Sequence, residues 1–156
     1  MEIRKAGKGD VEEIVRLNNS LFRNEHENKF DTTLDMKWHD KEGKKHYDKI
    51  VSKNDSVVFV AEERGKIIGY LCGSISQTAY YRIKLHIATL SDMFVDEKFR
   101  NQKVGKKLFE YFENWCKENG IKRISVTASS RNKYAIRFYN KCGFEEYETT
   151  LEKELE

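Results

Sequence analysis

Residues 90–115 read LSDMFVDEKFRNQKVGKKLFEYFENW, and the order strand, basic loop, helix within them decides how the rest of the chain is read. Val104, Leu108, Tyr111, Phe112 and Trp115 recur at helical spacing and predict one apolar face, with Lys106, Lys107, Glu110, Glu113 and Asn114 pointing elsewhere. Arg100, Lys103, Lys106 and Lys107 crowd the start of that helix, where unpaired amides and the macrodipole already place partial positive charge. Each cation there costs a few tenths to about 1 kcal/mol unless an anion sits among them. A phosphate-binding loop feeding a helix N-terminus accounts for the pattern. Long side chains reaching into water account for it equally. Gly105 fits the first reading, because a residue without Cβ lets backbone and ligand approach closely.

Outside this stretch, 156 residues suit one domain, expected over 1–156, with enough chain to bury a core. Charged residues at 35% against 38% hydrophobic describe a globular protein with a heavily solvated surface. The net charge of +3 argues for no particular partner, so the local basic cluster carries more information than the total. Cys72, Cys116 and Cys142 are widely spaced, with no CxxC pair and no histidine in ligand register, and read as small buried hydrophobes in a reducing compartment. With no leader and no apolar run of about 18 residues, the expectation is a cytoplasmic protein without a membrane partner. His26, His39, His46 and His86 show no metal spacing and read as surface or incidental residues, while Trp38 is expected to pack.

Taken in order, residues 1–6 predict a short strand, and Asp10 an N-cap for a helix from Val11 to about Leu21. Residues 23–33 are polar and read as an exposed connection holding Glu25 and Glu27. A second helical stretch is expected over 34–51 with a break near Gly43. Val57–Glu62 and Lys66–Ile75, separated by Glu63, Arg64 and Gly65, form a hairpin pattern. A loop with Tyr80, Tyr81 and Arg82 precedes a long strand over 85–95. After the helix from about Gly105 to Glu118, residues 121–127 predict a strand, Asn132 to about Lys141 a helix, and 144–151 a final strand. The succession β-α-α-β-β-β-α-β-α-β predicts an α/β (α+β) fold, one mixed central sheet flanked by about four helices.

With these residues placed, the chain resembles the GNAT superfamily of acyl-CoA-dependent N-acetyltransferases over nearly its whole length, most strongly from Val57 to Tyr147. The family's acyl-CoA motif is Arg or Gln, two variable residues, Gly, one variable residue, then Gly or Ala, directly after a strand. Arg100-Asn101-Gln102-Lys103-Val104-Gly105 matches its first and last positions and replaces the inner Gly with Lys103. That lysine either crowds the phosphate contact or strengthens it by charge. Asn132-Lys133-Tyr134-Ala135-Ile136-Arg137-Phe138-Tyr139, then Lys141-Cys142-Gly143-Phe144, is similar to the family's asparagine, Ala-x-x-x-Tyr and Gly-Phe signature. A P-loop is excluded, since no Gly stands five residues before Gly105 and no Ser or Thr follows Lys106.

The resemblance implies acetyl-CoA, released as CoA, with its pyrophosphate on the amides of Arg100, Asn101, Gln102, Lys103, Val104, Gly105, Lys106 and Lys107. It implies pantetheine along the strand carrying Met93, Phe94 and Val95, held as an added strand would be, and cofactor contacts from Asn132, Ala135 and Tyr139. The implied reaction is transfer of an acetyl group to a primary amine of a small molecule or a peptide by direct attack. A lysine-like amine with a pKa near 10 needs a base. Asp92, a carboxylate in an apolar strand, is the first candidate, and a structural hydrogen-bonded Asp is the alternative. Tyr139 matches the family tyrosine and could protonate the departing thiolate; a buried aromatic is its other explanation. Asn132 serves equally as an N-cap. Glu25, Glu27, Tyr80 and Tyr81 are candidate acceptor contacts, either of the two glutamates being a weaker base candidate. Core packing also explains Met93, Phe94 and Val95. A non-catalytic acyl-CoA-binding regulatory domain is the competing reading, kept open by Lys103. A nucleic-acid module is disfavoured by the modest net charge and the lack of a basic stacking face. Edge strands leave monomer and homodimer both open, and nothing in the sequence names the amine.

Overall fold

The computed structural model describes every residue from Met1 to Glu156. At its centre is a five-stranded sheet in chain order: β1 (Glu2–Lys5), β2 (Ser56–Glu63), β3 (Lys66–Gln77), β4 (His86–Val95) and β5 (Arg123–Val126). The first four pair antiparallel, and β4 with β5 is parallel because a helix carries the chain from one to the other. Arg64 and Gly65, at φ 52° and 75°, close the β2–β3 hairpin as a two-residue turn of the hand that strand twist favours.

Alternation in β2 distributes the core. Val57, Phe59 and Ala61 face α3 (Val104–Glu118), while Val58 and Val60 face α1 (Val11–Glu27) and α2 (Lys44–Ile50). The mixed sheet between four helices is therefore the predicted architecture, α4 (Lys133–Lys141) laying Phe138 and Tyr139 against the α3 side. Gly73 sets how closely α3 approaches: a Cβ there would stand 2.4 Å from a Phe112 ring carbon.

Five expectations are corrected. α1 runs on to Glu27, because residues 23–27 contain no breaker, and beyond its cap Asn28 the chain turns away through left-handed Lys29 at φ 56°. Asp10 does not cap it by side chain; the carboxylate accepts from the Gly7 amide at 2.8 Å and pairs with Arg4 at 2.8 Å. Residues 34–43 form turns and a π-helical turn at His39–Gly43, so the second helix is only Lys44–Ile50. On α3 the buried stripe is Val104, Leu108, Phe109, Phe112 and Cys116, with Tyr111 46% exposed against the edge of Phe59. The strand expected over 144–151 does not form. Past Phe144 no amide finds a main-chain acceptor, and the run is tied by side chains, Arg82 to Tyr147 and Glu148 and Arg123 over the Tyr147 ring.

Candidate active site

The β4–β5 ladder stops at Leu90 opposite Val126, and β4 continues alone on that side through Val95. Two features fix which main-chain groups face the opening. Asp96 donates its amide to Ile68 of β3, so the alternation of the strand turns Phe94 toward β3 and turns Met93 and Val95 toward the gap. Arg100 confirms the side by donating Nε to the Val95 carbonyl at 3.2 Å. The opening is thus a strand edge ready to pair with an extended amide-bearing ligand. One residue earlier the ladder skips: Cys72 opposes Asp92 and Gly73 opposes Leu90, which leaves Ser91 as a bulge.

Beyond β4 the chain makes a short turn at Glu97–Phe99 and enters α3 through two left-handed residues, Asn101 (φ 62°) and Lys103 (φ 63°). The amides of Asn101 to Lys106, six in succession, have no protein acceptor, whereas the Arg100 amide bonds Glu97 and the Lys107 amide bonds Lys103. Backbone turned in this way and emptying into a helix N-terminus is an anion cradle. It is narrower than the expected span of 100 to 107, because Arg100 and Lys107 are satisfied within the protein. The Arg100 side chain is committed as well, to the Val95 carbonyl and the face of Phe94 at 5.3 Å. Lys103 adopts the conformation a glycine would take at this motif position, so the cradle forms in spite of its side chain. Gly105 stands where a Cβ would meet Phe138 of α4 at 3.4 Å, joining the two helices on either side of the opening.

On the other face, Asp92 projects among α1 and α2. Tyr47 donates to Asp92 Oδ1 at 3.1 Å, the Tyr70 phenol lies near the same carboxylate, and Asn18 donates Nδ2 to the Tyr70 oxygen at 2.7 Å. His39 Nε2 completes the row on Asn18 Oδ1 at 2.6 Å, its Nδ1 left without a partner. Burial raises the Asp92 carboxyl above its ordinary range, and the two phenols with nearby His46 pull the other way. Burial likewise lowers His39, which was expected to be a surface or incidental residue and is instead buried in the core.

Tyr139 belongs to the same locale. Burial raises its phenol above the ordinary range, and the neighbouring acidic groups of Asp92, Cys142 and Glu25 add to the effect, with no hydrogen bond taking the proton. Asn132 is the expected N-cap of α4: its Oδ1 accepts from the Ala135 amide at 3.0 Å, while its Nδ2 donates to Glu25 Oε1 at 3.1 Å. Glu25, raised by burial, therefore reaches the site from the last turns of α1, not from a loop, and Glu27 is exposed beyond it. Tyr80 and Tyr81, 99% and 71% exposed, contact each other and Arg82 and are not brought to Asp92 or Tyr139. Tyr47, Tyr70, Asn18 and His39 were not singled out by sequence reasoning; a tyrosine inside the apolar run of β3 was the one available signal. No group of three or more His, Cys, Asp or Glu is placed to hold a metal ion, and no helix is long and apolar enough to cross a membrane.

A parted parallel strand pair, an anion cradle at a helix N-terminus and a carboxylate between them define a domain for an anionic acyl carrier. The family comparison agrees: residues 13–144 match the Acetyltransferase (GNAT) family, and the chain belongs to it. Acetyl-CoA is the co-substrate of that family, and one neighbour in fold is the aminoglycoside N-acetyltransferase AAC(6')-Iy in complex with CoA (TM-score 0.74, 20% identity, 99% of each chain). The BH1408 protein of Bacillus halodurans is similar throughout, with a TM-score of 0.86 at 26% identity, covering 99% of this chain and 100% of that one. An uncharacterised N-acetyltransferase of Methanocaldococcus jannaschii, MJ1207, is 26% identical over 149 residues, 94% of this chain. The chain spans 61% of the length of that relative.

Proposed function

We propose that the protein moves an acetyl group from acetyl-CoA to the primary amine of a small molecule by direct attack. The observation that carries this reading is the run of six free amides at Asn101–Lys106 beside the unpaired edge of Met93 and Val95. The cradle takes the pyrophosphate, the edge takes the pantetheine amides, and the thioester comes to lie near Asp92. A main-chain N–H of that edge stabilises the oxyanion as the amine attacks. Asp92 accepts the proton of the amine, directly or through water, with Glu25 as the second candidate; the new C–N bond forms as the C–S bond breaks. Tyr139 gives its proton to the departing CoA thiolate. Its raised phenol stays protonated at neutral pH, which suits an acid and not a base. A neighbour in fold that acetylates aminoglycosides supports a small-molecule acceptor. Three free thiols suit a reducing compartment such as the cytoplasm, and the open edge of β5 offers a second copy a place to pair.

The test is an acceptor screen by mass spectrometry with acetyl-CoA supplied. The expected result is a 42-dalton gain on a primary amine, roughly the mass of an acetyl group replacing hydrogen, with free thiol released in step. CoA uptake with no acetylated product across amines of every charge class would leave a binding domain and sink the transferase reading.

A further inference from the structure

Beside Asp92 lies a cleft of about 370 Å³ that the reaction above leaves without an occupant. Its walls hold His46, Lys49 and Lys53 from α2 and the turn after it, together with Ser56, Ser74 and Ser91 from the sheet. Cys72, which opposes Asp92 in the ladder, and Ser91, its bulged neighbour, both line the cleft, so it lies next to the reacting residue.

The cleft residues Ser56 and Ser74 begin a row of hydroxyls that continues along the sheet beyond the cleft. Ser56 opposes Ser74, Ser74 opposes Thr89, and Thr89 opposes Ser125, one hydroxyl from each of four consecutive strands in one row. Directly paired residues share a face. Ser56 has the parity of Val58 and Val60, and Ser74 that of Cys72, so the row lies on the α1–α2 face with Asp92. Thr89 Oγ1 and Ser125 Oγ stand 3.4 Å apart. At the row, the residues Ala88 and Leu90 on either side of Thr89 point the other way into the α3 core. The bulge brings Ser91 to the same face, where regular alternation from Leu90 and Asp92 leaves no place for it.

The charge on the walls is one-sided. Neither Lys49 nor Lys53 forms an ion pair. The single carboxylate of the lining, Asp55, accepts the Ser56 hydroxyl at 3.0 Å. Two free ammonium groups and an imidazole above a band of hydroxyls repel a polycation and attract an anion. The band itself matches a ligand whose own hydroxyls donate and accept in turn.

We propose that the acceptor is a hydroxylated primary amine carrying a phosphate monoester, its phosphate held by Lys49 and Lys53 and its hydroxyls by Ser56, Ser74 and Ser91. This rests on the transferase reading and deepens it by fixing the charge of the substrate. It excludes the polyamine and aminoglycoside classes that scattered carboxylates would favour.

Calorimetry on the CoA-loaded protein tests it, with a hexosamine and its 6-phosphate as probes. The ester is expected to bind at least tenfold more tightly, and Lys49→Gln with Lys53→Gln to remove that difference. Both lysines are exposed, and circular dichroism checks that the double variant folds. Equal affinity for the two sugars, binding of neither, or a difference that survives the double substitution overturns the proposal. A failure of the transferase reading shows separately, in a parallel incubation with acetyl-CoA, as CoA uptake with no acetylated product from any amine.

Discussion

Replacing Gly73 by alanine tests whether the sheet positions the cofactor cradle through α3. A Cβ on Gly73 would lie 2.4 and 2.5 Å from two ring carbons of Phe112 and 3.0 Å from the Thr89 carbonyl oxygen. Carbon pairs rest at about 3.5–4.0 Å, so the ring must retreat by about 1 Å. Phe112 is fully buried and stacked on Trp115 at 5.8 Å, which leaves it no free space to retreat into. The strain passes to α3, whose first turn carries the free amides. Overpacking of this kind costs about 1–3 kcal/mol. At this chain length each kcal/mol lowers Tm by about 2–4 °C, so the expected fall is about 2–12 °C. CoA binding should weaken as well, because the amides of Asn101–Lys106 shift against the edge of Met93 and Val95. Thermal unfolding followed by circular dichroism, with calorimetry of CoA, measures both. A Gly73→Ala protein with unaltered Tm would refute the packing argument.

Asp92→Asn should lower kcat/KM by about 10²–10⁴-fold, the usual worth of a positioned base. The wild-type rate should rise with pH through the raised Asp92 pKa, and the variant should be flat there. Because that pKa is raised in the fold, the carboxyl stabilises most below its unfolded value of about 3.9 and loses that contribution as pH rises through the folded one. The Asn variant should therefore be no less stable than wild type at neutral pH, and a marked loss of Tm would make Asp92 a structural residue. Tyr139→Phe should reduce kcat with little change in CoA affinity; unchanged turnover where chemistry limits would remove Tyr139 from the acid role. Lys103→Gly relieves a left-handed side-chain residue worth about 1–2 kcal/mol, less the entropy of an added glycine of about 0.5–1 kcal/mol. A Tm gain of a few degrees is expected (about 2–4 °C per kcal/mol), with a shallower salt dependence of CoA binding. A fall in Tm would argue against strain there.

The strands and α3 were legible because burial on both faces writes long apolar runs, as in 57–62 and 66–75, and because 100–107 concentrates charge where a helix begins. The cradle itself was legible as a region and not in its limits, since whether the amides of Arg100 and Lys107 are free depends on the turn at Glu97 and on the carbonyl of Lys103. The end of α1 was misread because polar helix formers look like a loop when no apolar residue marks their face, and this hid how Glu25 reaches Asn132. Residues 144–151 carry a strand pattern, but a strand needs a neighbour with free main-chain groups in reach, and pattern reports only which side chains alternate. The row from His39 to Asp92 depends on contacts more than 20 residues apart in sequence and leaves no periodic trace.

Adding CoA to isotopically labelled protein and following backbone amide resonances tests the docking of the anion at the start of α3 most directly. The shifts should concentrate at Asn101–Lys106, with Met93 and Val95 moving as the pantetheine pairs with β4. Binding that left those six amides unmoved, or no binding at all, would contradict the account.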